Sequence, residues 1–517
     1  MGLCMASGIS GVMAENLVIL HTNDTHSAID TDPSGAGGVL QRKAIIDSVR
    51  NAEKNVLLVD AGDVVQGTLY FKFFKGDVEY PLMNMMGYDV QILGNHEFDN
   101  GLEELARHQR TLTADRLSAN YDFSGTAADG LFKPYVIREI DGKRIGILGL
   151  NVDPHGLIAA SAYEGMTFSP ITETGNRIAA HLKQDEDCDL VVAVTHIGAE
   201  HEAGRENDYD LARSSRDIDI IIGGHSHTVI LPDNSTPECP SVVANADGRP
   251  VLVVQTGKYG RNLGYIKIDL DAVEEGTPAD FNYTLIPVTD RFPADTLDKD
   301  MAAHITPYRE QLLAVDSHVI ARCAADMPNY HRTGAFVNWT SDFAEYYGRH
   351  VADSLRDAGG DIPLLDFAMM NVGGIRHPMK EGDVTEGQIL ATFPFSNRMT
   401  LVAIKGADFI DAMRIAAEKH GEAVSNAIRV VTDDYDRVVR VVVNGEEMDP
   451  DRTYLMATIN YLAWGNDDFA PLAKGEILWM DKEEMSLRML EYIGRLTSLG
   501  LPIEGDPRPR FVREVKL

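Results

Sequence analysis

Cysteine is scarce in this chain: Cys4, Cys188, Cys239 and Cys323 are the only four in 517 residues, far apart and without a Cys-x-x-Cys pair. A zinc ribbon and a disulfide framework are thereby excluded, although one or two isolated disulfides are compatible with the count. Long apolar runs are also missing, and no stretch approaches the roughly 18 consecutive apolar residues that a membrane-spanning helix needs. Positive charge is the third shortage: 47 Lys and Arg against 79 Asp and Glu give a formal net charge of −32. That balance excludes a nucleic-acid polymer as partner, because polyphosphate binding requires a basic face. A small anionic substrate stays open, since salt screens charges beyond about 10 Å and a metal pair or a few Arg side chains then dominate locally. Nothing in the sequence indicates an oligomeric state.

A chain of this length exceeds one ordinary hydrophobic core, so two or three domains are expected. The first 16 residues are small and mildly apolar. Val12-Met13-Ala14 resembles a signal-peptidase site, but no Lys or Arg precedes it, so residues 1–14 read either as a signal-peptide remnant or as a disordered terminus.

In the first half a short Val/Ile/Leu run repeatedly ends in Gly and polar residues: Leu17–Leu20, Val56–Val59, Val90–Leu93, Ile145–Leu148, Leu190–Val194 and Ile218–Ile222. Such runs read as strands buried on both faces, and helix-like segments at Gly38–Ala52 and Leu102–Leu112 alternate with them, which predicts a layered α/β domain. Asp295–Val315 reads as a polar, helix-like connection with Pro307 inside it. Beyond Ser317 a second α/β pattern includes Leu364–Met370, a hairpin of Ile428–Val431 and Val438–Val443, and the strand Tyr454–Ile459.

The chemistry-bearing residues sit where those strands end, which is where open α/β sheets gather ligands. Asp24 and His26, Asp63 after Gly62, Asn95 and His96 after Gly94, His196, and His225 with His227 after Gly223-Gly224 each follow an apolar run. Singly these are ordinary turns, surface loops or hydrogen-bonded core histidines. Together, leaving His96 aside, they give two Asp, four His and one Asn, too many for one tetrahedral ion and about right for two ions sharing a bridge.

The blocks Asp24-x-His26, Gly62-Asp63, Gly94-Asn95-His96-Glu97, His196 and Gly224-His225-x-His227, in this order, resemble the calcineurin-like metallophosphoesterases. The strings ILHTNDTHS and GNHEFDNG are similar to the 5′-nucleotidase branch, and the likeness runs from about residue 17 to 510. The resemblance implies a layered α/β/β/α metallophosphoesterase domain at 15–288, a largely helical linker at 289–316 and a smaller α/β nucleotide-binding domain at 317–517. It implies two divalent metal ions, zinc or manganese foremost. Asp24, His26, Asp63 and His227 would hold one, and Asp63, Asn95, His196 and His225 the other. His96 would face the phosphate with Asp99 fixing its ring. The implied activity is removal of the 5′-phosphate from nucleoside monophosphates through a metal-activated hydroxide, in an exported protein.

Specificity is expected from the second domain. Phe395 and Tyr461 would stack on a base, each contact being worth roughly 1–3 kcal/mol. Asp467 would bind ribose hydroxyls, Arg376, Asn371 and Arg332 would meet the phosphate or its neighbours, and Asn397 would reach the base edge. Two departures from the family pattern stand out. The stretch Arg332–Trp339 is two residues short of the usual loop and lacks its acidic residue, and Gly465-Asn466-Asp467-Asp468-Phe469 replaces Gly-Gly-Asp-Gly-Phe. Nucleotide diphosphate sugars and 2′,3′-cyclic nucleotides are alternative substrates on the same metals. A non-catalytic, metal-stabilised binding protein is the remote alternative, and the presence of both His96 and Asp99 argues against it.

Overall fold

The computed structural model describes residues 16–200, 204–232, 239–273, 281–329 and 332–514. Cys4 and the signal-like segment 1–14 lie outside them.

The apolar runs form two six-stranded sheets. One orders Asn282–Pro287, Asn262–Asp269, Asn16–Thr22, Val56–Asp60, Val90–Ile92 and Asp115–Leu117; the other orders Val242–Ala244, Pro250–Val254, Ile220–Ile222, Leu190–His196, Lys143–Asn151 and Tyr135–Ile140. Side chains alternate across each strand. Ile19, Val59 and Ile92 of the first sheet meet Ile147, Val192, Val194 and Ile222 of the second in a single core between the sheets. The intervening residues face outward. Val18 and Leu20 pack on Ile45 and Ile46 of the helix Val39–Ala52, and Leu148, Val191 and Ala193 on Ile178 and Leu182 of the helix Ile171–Gln184. The result is the expected α/β/β/α layering. Full burial of each Val, Ile or Leu contributes about 1.5–3 kcal/mol, which is why runs apolar at every position are used where both faces are covered.

The helix Lys299–Asp316 follows, capped by the Asp298 carboxylate, which accepts the Met301 N–H at 2.8 Å. It tolerates Pro307 and packs Met301, Ile305 and Leu312 on the outer core of the first body. The second body is a five-stranded sheet in the order Ala423–Val424, Phe367–Met370, Thr453–Ile459, Met399–Lys405, Glu476–Met480, covered by the helix Ala335–Asp357. The expected hairpin pairs Ile428–Thr432 with Val438–Val443. Several boundaries differ from expectation by a few residues, among them two. The strand predicted from Leu364 starts at Phe367, with Leu364 71% exposed, and the helix predicted to Leu112 ends at Gln109. Cys188, Cys239 and Cys323 are buried thiols, and none of the described cysteines forms the disulfide that the count allowed. Among the described residues no helix is long and apolar enough to cross a membrane.

Candidate dimetal site and interdomain cleft

Parallel strands end side by side, so the loops that follow them converge. Here they do so with unusual backbone: Asp24, His26, Asp63, His225 and His227 all have φ between 48° and 78°. Non-glycine residues in the left-handed region cost free energy and persist where surrounding contacts over-determine them. Those contacts are present. The N–H groups of Asp24, His26 and Ser27 donate to the carbonyls of Gly62, Asp63 and Val64. Glu97 ties the next pair of loops, its carboxylate accepting the backbone N–H of Asp63, Val64 and Gly94 at 3.1, 2.8 and 2.5 Å. Gly94 allows the closest approach, since a Cβ there would lie 2.1 Å from Asp63 Oδ1.

Two groups of donor atoms result. Asp24, His26 and His227 form one and Asp24, Asp63 and His196 the other, each with ligand atoms within 4.8 Å of one another. His196 Nε2 lies 3.2 Å from Asp63 Oδ2 and 4.0 Å from Asp24 Oδ1, and His227 Nε2 is 3.5 Å from Asp24 Oδ1. His225 Nδ1 meets Asn95 Oδ1 at 2.9 Å, and its ring is 5.2 Å from that of His196. All seven residues expected to ligate metal therefore meet at one end of the two sheets.

The donor set fits divalent cations on three counts. Nδ1–H of His196 donates to the Ala61 carbonyl at 2.7 Å and Nδ1–H of His26 to that of Val65 at 3.3 Å, so Nε2 of each ring carries the inward lone pair. His196 Nε2 is buried and has no hydrogen-bond partner among the described residues. His26 Nε2 and His227 Nε2 face each other at 2.9 Å, a spacing at which one cation can take both ring nitrogens. Electrostatics agree. Burial pushes Asp24 up to about 7 and lowers His225 to about 3 and His227 to about 2, so the imidazoles are neutral and ligand-competent at pH 7. Burial also opposes charge on His196, but Asp63 and Asp24 outweigh it and raise it to about 10: in this pocket of carboxylates a proton stands in for a cation.

His96 heads a three-residue turn, His96–Phe98, and its N–H donates to Asp63 Oδ1 at 2.9 Å. Its Nδ1 lies 3.0 Å from Asp99 Oδ2. Burial disfavours the imidazolium, yet Asp99 and Asp63 prevail and raise its pKa. The second body closes on this residue. Phe395 lies 5.9 Å from His96 between ring centroids, and the Arg376 guanidinium sits over Phe395 at 5.8 Å. The Tyr461 hydroxyl donates to the Leu157 carbonyl at 2.8 Å, and the Asp467 N–H to that of Gly156 at 2.6 Å. Asn371, Asn397 and Phe395 line one pocket. Asn371 Oδ1 is buried without a partner among the described residues, an acceptor open to a ligand's N–H or O–H. Asp467 accepts from Asn371 and Lys419.

Arg332 is held by an acid beside the Asn371 and Asp467 loops. It pairs with buried Glu422 at 3.3 Å, and Glu422 also accepts the N–H of Val372 and Ala423. Asp468, the acid standing where the family motif has Gly, pairs with Lys419 at 2.9 Å and with Arg205 of the first body at 3.3 Å. Sequence reasoning missed Glu97, Glu422 and Asn23. Asn23 donates to Asp24 Oδ2 at 2.6 Å and to the Gly257 carbonyl at 2.8 Å. Glu97 and Asn23 had a usable signal, each being a polar residue beside a ligand in the same strand-end block; Glu422 had none.

Comparison with known proteins gives a consistent result. The profile described as calcineurin-like phosphoesterase matches residues 17–229, and that described as 5′-nucleotidase, C-terminal domain, matches residues 320–474. The chain is 28% identical to 5′-nucleotidase of Rattus norvegicus and 29% identical to that of Mus musculus, in both cases over 95% of this chain and 90% of the relative. The crystal structure of a 5′-nucleotidase precursor from Thermus thermophilus superposes with a TM-score of 0.81 at 27% identity, covering 97% of this chain and 100% of that one.

Proposed function

The chain belongs to the 5′-nucleotidase family of calcineurin-like phosphoesterases, metal-dependent hydrolases of phosphoric esters, and from that premise we propose how its residues divide the work. The reaction is removal of the 5′-phosphate from nucleoside monophosphates. The observation that carries this reading is the contact of Phe395 with His96, which sets an aromatic platform and Arg376 of one body beside the donor cluster of the other.

Asp24, His26, Asp63 and His227 would hold one divalent cation, and Asp63, Asn95, His196 and His225 the second, with Asp63 as bridge. Oxygen and nitrogen ligands without thiolate suit zinc or manganese. When bound, such a pair neutralises phosphoryl oxygens and lowers the pKa of a water at the site. His96, with Asp99 accepting from Nδ1, directs Nε2–H toward the phosphoryl group and can protonate the departing ribose oxygen. Arg376 and Asn371 bind phosphoryl oxygens or their neighbours. Phe395 and Tyr461 hold the base, Asn397 its edge and Asp467 the ribose hydroxyls; Arg332, paired with Glu422, joins Arg376 and Asn371 near the phosphate. The body at 15–288 thus supplies the chemistry and that at 317–517 the specificity, joined by 289–316. Export accords with the Thermus thermophilus relative's description as a precursor.

Rates of hydrolysis of AMP, UDP-glucose and 2′,3′-cyclic AMP with added Mn²⁺ or Zn²⁺, read by chromatography of the products, test the reading. AMP should give the highest kcat/KM. A higher value for either of the others would move the substrate assignment.

A further inference from the structure

Four rings run in contact along the floor of the cleft. Tyr259 meets His26 at 5.9 Å, His26 meets His96 at 5.5 Å, and His96 meets Phe395 at 5.9 Å. A cation stands at each end. Arg376 lies 5.8 Å over Phe395, and Lys258 Nζ lies 5.0 Å over Tyr259. Arg376 comes from the second body and Lys258 from the first, yet they are within electrostatic reach of each other, and both act on His227 and His377.

Lys258 is held firmly. On one side Gly257 takes a hydrogen bond from Asn23 at its carbonyl and gives one from its N–H to Thr228 O at 3.0 Å; on the other the Tyr259 N–H donates to Asp24 O at 2.8 Å. The lysine therefore rides on the same loops that carry Asp24 and His227. It is half-buried, and among the described residues no carboxylate lies within 4.0 Å of its ammonium group. The neighbouring charges are Asp24, Arg261 and Arg376, of which Arg261 is already paired with Asp32 at 2.7 Å. Arg376 likewise has no ion pair among the described residues. In a chain with 79 acids and 47 Lys and Arg, two half-buried cations at the ends of one ring row, neither ion-paired among the described residues, call for an anion that the protein does not supply.

We propose that Lys258 is a phosphate-binding residue of this site, donating to the phosphoryl oxygens from the metal-bearing body while Arg376 donates from the other. This rests on the phosphohydrolase reading above and adds a residue to it. An anion bridging the two also links the bodies, so Lys258 binds the phosphate of substrate and product alike and holds the cleft closed around it.

Calorimetric titration of inorganic phosphate into the metal-loaded, full-length protein tests this directly, with bound metal measured in each variant. Lys258→Ala should keep its metal and weaken phosphate binding about tenfold, the loss of one charge-assisted hydrogen bond, whereas Lys258→Arg should stay within about threefold of the parent. KM for AMP should rise in parallel, and adenosine, which lacks the phosphate, should bind unchanged. Unaltered phosphate affinity in Lys258→Ala would overturn the proposal, as would an equal loss of adenosine binding, which marks a structural role. Should the parent protein fail to hydrolyse AMP while Lys258→Ala still weakens phosphate binding, the substrate assignment falls and the anion site stands.

Discussion

The Phe395 ring lies with its centroid 5.9 Å from that of His96 and tilted 32° to it, although 299 positions separate the two residues and each belongs to a different body. The ring proposed as base platform thus lies against the residue proposed to face the phosphate. Phe395→Ala should raise KM for AMP about tenfold, since base stacking is worth roughly 1–3 kcal/mol. Hydrolysis of p-nitrophenyl phosphate, which has no base, should be nearly unaffected. Steady-state kinetics on both substrates checks this, and equal losses on the two would show that the ring only packs.

His96 should matter to turnover and not to metal content. It touches Asp63 only through its backbone N–H, and its side chain is engaged by Asp99. His96→Ala should retain bound metal and lower kcat by about 10²–10³-fold, as removal of a transition-state donor does. Metal analysis alongside kcat separates this role from ligation.

Strand positions, layering and the strand-end placement of the seven proposed ligands were legible because both signals are local. An apolar run marks a strand buried on both faces, and a Gly-Asp or Gly-Asn-His step marks its end. The rest depends on contacts far apart in sequence. Nothing local reveals that Asp24, His26, Asp63, His225 and His227 adopt left-handed backbone, because the bonds that hold them come from Gly62, Asp63, Val64 and Glu97 on other loops. Lys258 escaped notice for a related reason: a lone lysine in a Gly-Lys-Tyr-Gly loop gains meaning only beside Arg376, 118 positions later. The added acid at Asp468 likewise finds its partners far away in sequence, Arg205 and Lys419.

Acid should destabilise the second body through Asp481. Burial works against its charge, but Arg488, at 3.0 Å and 3.1 Å, and Tyr347 hold its pKa down from 3.8 to about 2. A carboxyl held lower when folded contributes stability in full above its unfolded pKa, and that contribution fades as pH falls from about 4 toward about 2. Asp481→Asn should therefore lower Tm near neutral pH while showing a smaller further loss on acidification than the parent. Parallel Tm curves for the two proteins across that range would remove the assignment.

Metal stoichiometry against activity is the most direct test of the central claim, that the two donor clusters, which share Asp24 and have Asp63 close to both His26 and His196, form a dimetal phosphohydrolase site. Protein stripped with a chelator and titrated with Mn²⁺ or Zn²⁺ should release no phosphate from AMP at first. Activity should rise to a plateau at about two bound ions per chain, and Asp63→Ala should bind fewer ions and stay inactive, because a bridging carboxylate serves both. Full AMP hydrolysis by the stripped protein, or an Asp63→Ala variant that binds two ions and turns over normally, would contradict the account.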